Sequence, residues 1–312
     1  MKHIFNYLYS LPFIFIYSSA FSTTPSDINQ SKIINIAEPL DNHTSFNSFE
    51  TLSSNEYGLI FNNDINDNKA LGGKAAKLIL AEVTGNEATN LQGVLGIKGQ
   101  IANLVIANPN GITWNNGSVS NISSLSLVAG NFERQFIKDK TDPSKLIPKP
   151  LKDYTQLKFS VSPNSQVTIN HSQATPIQLT KINVFADRIK LQNAVNITSA
   201  VQNYLSSSGH ASLSINEGTL RSGSKFKPTV MHSQGSHFEL GENAKLMGRS
   251  ILLESHQYQC KDSFMCPQNK IDIKGLIEAM NFSLQGDSQL SVTGRIRLGS
   301  NQQTLVGQNM TD

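Results

Sequence analysis

Acid–base chemistry on a substrate requires two titratable groups brought to one face, most often paired carboxylates. The sequence offers Asp187 beside Arg188, Glu239 near Glu242, and Asp272. None belongs to an Asp-x-Asp or comparable cluster, so these read as solvated-face residues. The histidines are scattered, and His232 with His237 is among the closest pairs. Their spacing suits neither a helical nor a strand metal site. The two cysteines, Cys260 and Cys266, lie in QCKDSFMCPQ. Tetrahedral zinc needs more ligands than two thiols with only His256 nearby. In an exported chain the pair suits a local disulfide, whose short loop stabilises less than a long-range bridge. The sequence therefore predicts no catalytic group, no metal centre and no cofactor.

The elements available to position any site are short strands. The chain has 312 residues, 38% hydrophobic and 16% charged, with a formal charge of +3. It opens on MKHIFNYLYSLPFIFIYSSAFS, with a basic Lys2, an apolar stretch at 11–17 and Ala20-Phe21-Ser22 like a cleavage site. Residues 1–22 read as a signal peptide, since the apolar run is too short to span a bilayer. Without Lys2, 25 basic residues face 23 acidic ones, a balance that disfavours nucleic acid as partner.

Between 51 and 130, four- to six-residue strands alternate with Gly and Asn. Residues 138–153, KDKTDPSKLIPKPLKD, form the most charged stretch, an exposed excursion placed at 131–154. Its lysines are partly balanced by Asp139, Asp142 and Asp153, so it is not read as a binding patch. From 155 onward apolar pairs recur two residues apart: Ile189/Leu191, Val195/Ile197, Phe238/Leu240, Ile251/Leu253, Ile271/Ile273, Phe282/Leu284, Ile296/Leu298. That spacing puts both side chains on one face of a strand. Two all-β folds fit: a sandwich of hairpins, or a parallel β-helix whose triangular coils bury a pair on each side.

LVIANPNGITWNNGSV, at 104–119, concentrates the turn chemistry. Pro109 pre-sets φ at the second position of a turn, Asn110 tolerates the third, and Gly111 supplies positive φ at the fourth. Asn108, extended before proline, can bond the backbone two residues on. Ile112 and Trp114 share a face of the next strand. Asn115-Asn116-Gly117 reads as a second turn, leading into a short hairpin or a tight rung.

LILAEVTGNEATNLQGVLGIKGQIANLVIANPNGI, at 78–112, resembles the signature of the two-partner secretion domain. That domain opens filamentous haemagglutinin, haemolysins and contact-dependent inhibition toxins of Gram-negative bacteria. The matches are Glu82-Val83, Gly93, Gly99, Ala102 and, as hallmark, Ala107-Asn108-Pro109-Asn110-Gly111-Ile112. Tyr57 to Asn63 looks like the family's early strand. The resemblance spans roughly 30–300 and is densest over 55–130. An Asn-Pro-Asn-Leu motif found in the haemagglutinin branch is absent where this chain has Leu71-Gly72-Gly73-Lys74.

The resemblance implies a right-handed parallel β-helix (a β-solenoid) with an N-terminal cap and small extra-helical hairpins or sheets. The cap and motif-bearing coils would fill 23–130 and further coils 155–312, making 23–312 one domain. It implies export through the Sec machinery and recognition by the periplasmic POTRA domains of a TpsB-type outer-membrane β-barrel transporter. The domain would then seed folding of the helix at the cell surface and would not be an enzyme. Asn108 to Ile112 would form the transporter-recognition or folding motif. An alternative is a short secreted adhesin whose own β-helix surface binds a host-cell or bacterial receptor. No capping helix closes the end at 308–312, so a frayed or self-pairing end is expected.

Overall fold

The computed structural model describes residues 30–172, 175–192, 194–216, 218–222, 235–256, 268–286, 288–299 and 304–305. The signal-peptide segment, the cysteine pair, His232 and the chain end at 308–312 lie outside them. Two long parallel sheets run the length of the molecule, and in each the strands stack in chain order. The first takes Lys32–Asn35, Gly58–Asn63, Thr89–Gly99, Ile112–Ser120, Gln166–Asn170, Arg188–Leu191, His237–Leu240, Asn269–Ile273 and Ser288–Val292. The second takes Thr44–Phe49, Leu78–Val83, Ala102–Ala107, Ile122–Val128, Ile177–Ala186, Asn196–Ser206, Lys245–Ser255, Leu276–Gly286 and Arg295–Leu298. Alternation between two sheets with purely parallel pairing is the winding of a parallel β-helix, and it excludes the sandwich of hairpins.

The coils are triangular because the later strands of the second sheet bend. Leu179 pairs with Ser199 and Lys181 with Val201, while Thr180 and Ala200 between them are unpaired. Arg249 and Met280 continue that column, flanked by pairs on both sides. Each side then buries its doublet: Ile189/Leu191, Phe238/Leu240 and Ile271/Ile273 on one, Ile251/Leu253 and Phe282/Leu284 on another. Stacking identical sides buries a continuous apolar column, which no single coil could do alone.

Some strands are apolar at every position, and the reason is a second core. Ile79, Leu104, Ile106 and Leu127 point into the helix. Leu78, Leu80, Val105, Ala107, Val128, Phe185 and Leu205 point outward and are also buried. They are covered by a four-stranded antiparallel sheet made of Asn131–Glu133, Gln156–Val161, Gly209–Ser214 and Leu220–Ser222. Strands covered on both faces lose the alternating pattern.

The excursion at 131–154 is not exposed throughout. Phe136–Lys138 and Leu146–Pro148 form an exposed two-stranded hairpin. Phe132 and Tyr154, at its two ends, are buried in the second core. Both aromatic anchors lie outside the charged stretch at 138–153 and root the excursion in the body of the molecule.

The Asn-Pro-Asn-Gly corner as candidate functional site

The corner turns the chain from Ala102–Ala107 on the second sheet to Ile112–Ser120 on the first. The turn closes as its residue types require. Gly111 N–H donates to Asn108 O at 3.1 Å, and Gly111 sits at φ +99°. A Cβ there would lie 2.9 Å from Gln166 O of the next coil.

Asn108 faces inward and is fully buried. Its Oδ1 accepts from the Asn110 backbone N–H at 2.9 Å and from Asn110 Nδ2 at 3.1 Å. Its Nδ2 donates to Glu87 O and to Thr89 Oγ1, both at 2.9 Å. Asn110 is exposed, and its Nδ2 reaches Gly85 O at 2.7 Å. Backbone bonds complete the clamp: Thr89 N–H to Gly111 O at 3.0 Å, and Asn108 N–H to Val128 O at 2.9 Å. The corner thus ties the preceding loop, 85–89, to the following coil. A buried amide with every group satisfied fixes one backbone arrangement. Pro109 is half-buried, and Asn110 stands outermost.

The supporting motif residues also act on backbone and packing. Glu82 accepts from Arg134 Nη2 at 2.9 Å and from Ser48 Oγ at 3.2 Å, so it pins the root of the excursion to the helix. Val83 and Ala102 lie in the helix core, and Ala107 in the second core. Gly93 adopts φ +61°, and a Cβ there would lie 2.4 Å from Glu56 O. Gly99 adopts φ +84°, with Asp64 Cα 2.5 Å from where its Cβ would stand. Ile112 and Trp114 are buried side by side in the helix core, as their spacing requires.

Asn115-Asn116-Gly117 is not a turn. Ile112–Ser120 is one strand paired in parallel with Thr89–Gly99, and the register shifts between Gln92 and Val94. Asn116 at φ +46° and Gly93 opposite it absorb the shift as a bulge. Residue type alone signals a reversal here, but the pairing strand makes it a bend. The bulge borders an open groove of about 460 Å³ with Glu56, Tyr57, Gln92 and Asn116 on its wall. Glu56 is its single carboxylate, so the groove offers no acid–base pair.

The titratable candidates serve structure. Asp187, expected on a solvated face, is fully buried. Its carboxylate accepts from Ser236 Oγ at 2.5 Å and from the Asn164 N–H at 2.8 Å, joining the approaches to the strands Gln166–Asn170 and His237–Leu240. An alternating pattern cannot show that Asp187 sits at a bend between strands, where its side chain turns in. Glu239 meets Lys274 at 2.8 Å and Lys190 at 3.9 Å. The hydrogen bond from Lys274, aided by its charge, holds the Glu239 carboxyl below the usual range. His237 pairs with Asp272 at 2.8 Å. Among the described residues, no three His, Cys, Asp or Glu side chains converge as metal ligands would. No helix among them is long and apolar enough to cross a membrane.

Sequence reasoning missed the partners of the corner. Thr89 and the Gly85 and Glu87 carbonyls carry no motif of their own, and neither does Arg134, the partner of Glu82. Buried Asn63 and Asn68 clamp carbonyls in the same way as Asn108. For Asn63 and Asn108 the signal available was an Asn at the end of an apolar strand.

A stacked solenoid with a side sheet, and a corner whose side chains shape backbone, define a parallel β-helix module. A family model for the TPS secretion domain matches residues 18–309, and the chain belongs to that family. The crystal structure of the filamentous hemagglutinin secretion domain superposes with a TM-score of 0.53. It covers 88% of this chain and 91% of that one at 22% identity, a likeness of fold. Filamentous hemagglutinin of Bordetella pertussis (strain Tohama I) is 38% identical over 112 residues, 33% of this chain and 3% of that protein. The protein adenylyltransferase and cysteine protease IbpA of Histophilus somni is 30% identical over 178 residues, 54% of this chain and 4% of that protein. The hemolysin of Serratia marcescens is 34% identical over 112 residues, 32% of this chain and 7% of that protein. The matched part is thus a small fraction of each of these relatives.

Proposed function

We propose that the chain is the N-terminal secretion module of a two-partner secretion exoprotein. Residues 1–22 direct it through the Sec machinery to the periplasm. There the POTRA domains of a cognate outer-membrane transporter recognise it. As it emerges, its coils seed folding of the β-helix that follows.

The observation that supports this reading most is the division of labour at the corner. Asn108 is turned inward and fully bonded, while Pro109 and Asn110 are displayed. A recognition element presented on a rigid turn costs little ordering on binding. The same corner bonds to the coil before it and the coil after it. That makes it a place where parallel register is set once and passed on.

The test is secretion of the chain with and without its transporter, alongside Asn110→Ala and Asn108→Ala. Release that requires the transporter is expected. Asn110→Ala should weaken POTRA binding with the fold intact, and Asn108→Ala should lower both stability and release. Equal release without the transporter would overturn the secretion role. Unchanged POTRA binding and release in Asn110→Ala would remove Asn110 from recognition.

A further inference from the structure

Among the described residues eleven large apolar side chains are exposed, and four of them crowd into one hairpin. Phe136 is 57% exposed, Leu146 66%, and Ile137 and Ile147 38% each. Phe136 pairs with Pro148, and Lys138 with Leu146, on one face of the two-stranded ribbon; Ile137 and Ile147 pair on the other. Such a concentration on a soluble surface marks an interaction site.

The root of the hairpin is fixed. Tyr154 packs edge-on against Phe46 and beside Phe132, and its hydroxyl accepts from the Gln135 N–H at 2.6 Å. Gln135 Nε2 donates to Gln156 O, and Asn42 Nδ2 to Leu151 O. The apolar ribbon therefore projects from a rigid stem and is not a loose loop.

Charge gathers at the same place. Residues 134–153 hold six basic and three acidic side chains, a net +3 that equals the formal charge of the whole chain. At the tip, Asp139 accepts from the Thr141 N–H and hydroxyl, and Asp142 from the Ser144 N–H and hydroxyl and from Lys145. Those carboxylates are engaged in the turn. Lys138, Lys140 and Lys152 have no ion-pair partner among the described residues. Lys149 lies over the Tyr154 ring at 5.7 Å.

We propose that this hairpin docks the module on an anionic lipid surface. Phe136, Leu146 and Pro148 enter the boundary between headgroups and acyl chains, and Lys138, Lys140, Lys149 and Lys152 lie against lipid phosphates. Three strand residues span about 10 Å, the depth interfacial elements reach. A lipid layer suits the geometry better than a protein does. Apolar side chains stand on both faces of an exposed two-stranded ribbon, and lipid can close around both.

The test is flotation of the purified chain with phosphatidylcholine vesicles, with and without phosphatidylglycerol, at low and physiological salt. Binding to the anionic vesicles alone is expected, weakened by salt. Lys138→Gln with Lys140→Gln should reduce it about 25-fold, roughly five-fold for each lysine. Phe136→Ser with Leu146→Ser should reduce it more than about ten-fold. Lys270→Gln, on the first sheet away from the hairpin, should leave it unchanged. Thermal melting verifies that each variant folds, since the hairpin lies outside both cores. Failure to bind anionic vesicles would overturn the proposal. So would full binding by the Phe136/Leu146 variant, or capture of an acidic protein at the hairpin with no vesicle binding.

Discussion

Replacing Asn108 by Ala tests whether the corner works through its buried amide. The substitution removes two donations, to Glu87 O and Thr89 Oγ1, and two acceptances from Asn110. Glu87 and Asn110 are exposed, so water can replace the amide there. Thr89 is fully buried, so its hydroxyl is orphaned at a cost of about 1–3 kcal/mol. The lost turn bond adds roughly 0.5–1.5 kcal/mol. The sum, about 1.5–4.5 kcal/mol, corresponds to a melting temperature lower by roughly 3–18 °C in a domain of this size. Hydrogen exchange locates the damage. The amides of Thr89, Gly111 and Asn108 donate to Gly111 O, Asn108 O and Val128 O, so all three report on the clamp. Their exchange should speed up by about 10-fold to 2000-fold. Asn110→Ala loses its side-chain bonds to Gly85 O, Glu87 O and Asn108 Oδ1, which water can replace at this exposed position, keeps the backbone donation to Asn108 Oδ1, and should cost about 0.5–1.5 kcal/mol. If the three amides in Asn108→Ala exchange within about three-fold of wild type, or if Asn110→Ala matches it, the clamp is not what holds the corner.

Other outcomes follow from the same geometry. Gly93→Ala forces a side chain into φ +61° and into Glu56 O, and should destabilise by at least about 2 kcal/mol in thermal melts. Tyr204 is fully buried, and burial pushes its hydroxyl far above the usual tyrosine value. A raised folded value means that the native state binds the proton more tightly. Its stabilising effect is therefore complete below about pH 10 and declines as pH rises further. Alkaline titration should show one tyrosine ionising only on unfolding, and Tyr204→Phe should abolish that step. Lys274→Met should raise the Glu239 carboxyl toward its ordinary range by carbon-detected NMR titration. In the unmodified chain the depressed Glu239 value means that its contribution is present at neutral pH and lost as pH falls through the folded value.

The parts of the fold that depend on neighbours in sequence were legible without coordinates. Doublets such as Ile251/Leu253 and Ile271/Ile273 declare which side of a strand is buried, because the period of two is fixed by backbone geometry. The Asn108–Gly111 turn was equally legible, since proline fixes one φ and glycine releases another. The bend at Thr180 and Ala200 was not, because it appears only when strands of successive coils are set in register. Asn116 was misread as part of a turn for the same reason: the strand at 89–99 holds it as a bulge.

What the sequence determined by itself was a set of local choices: short strands, their inward faces, and one sharply specified corner. The tertiary structure decided what covers the outward faces. Residues 131–133, 156–161, 209–214 and 220–222, far apart in the chain, meet as the sheet that buries Val105, Ala107 and Phe185. It also decided that Asn108 and Asp187 turn inward, toward partners no motif announces. Alternation tells a strand its two sides, but burial of a polar group depends on which distant donors and acceptors arrive to satisfy it.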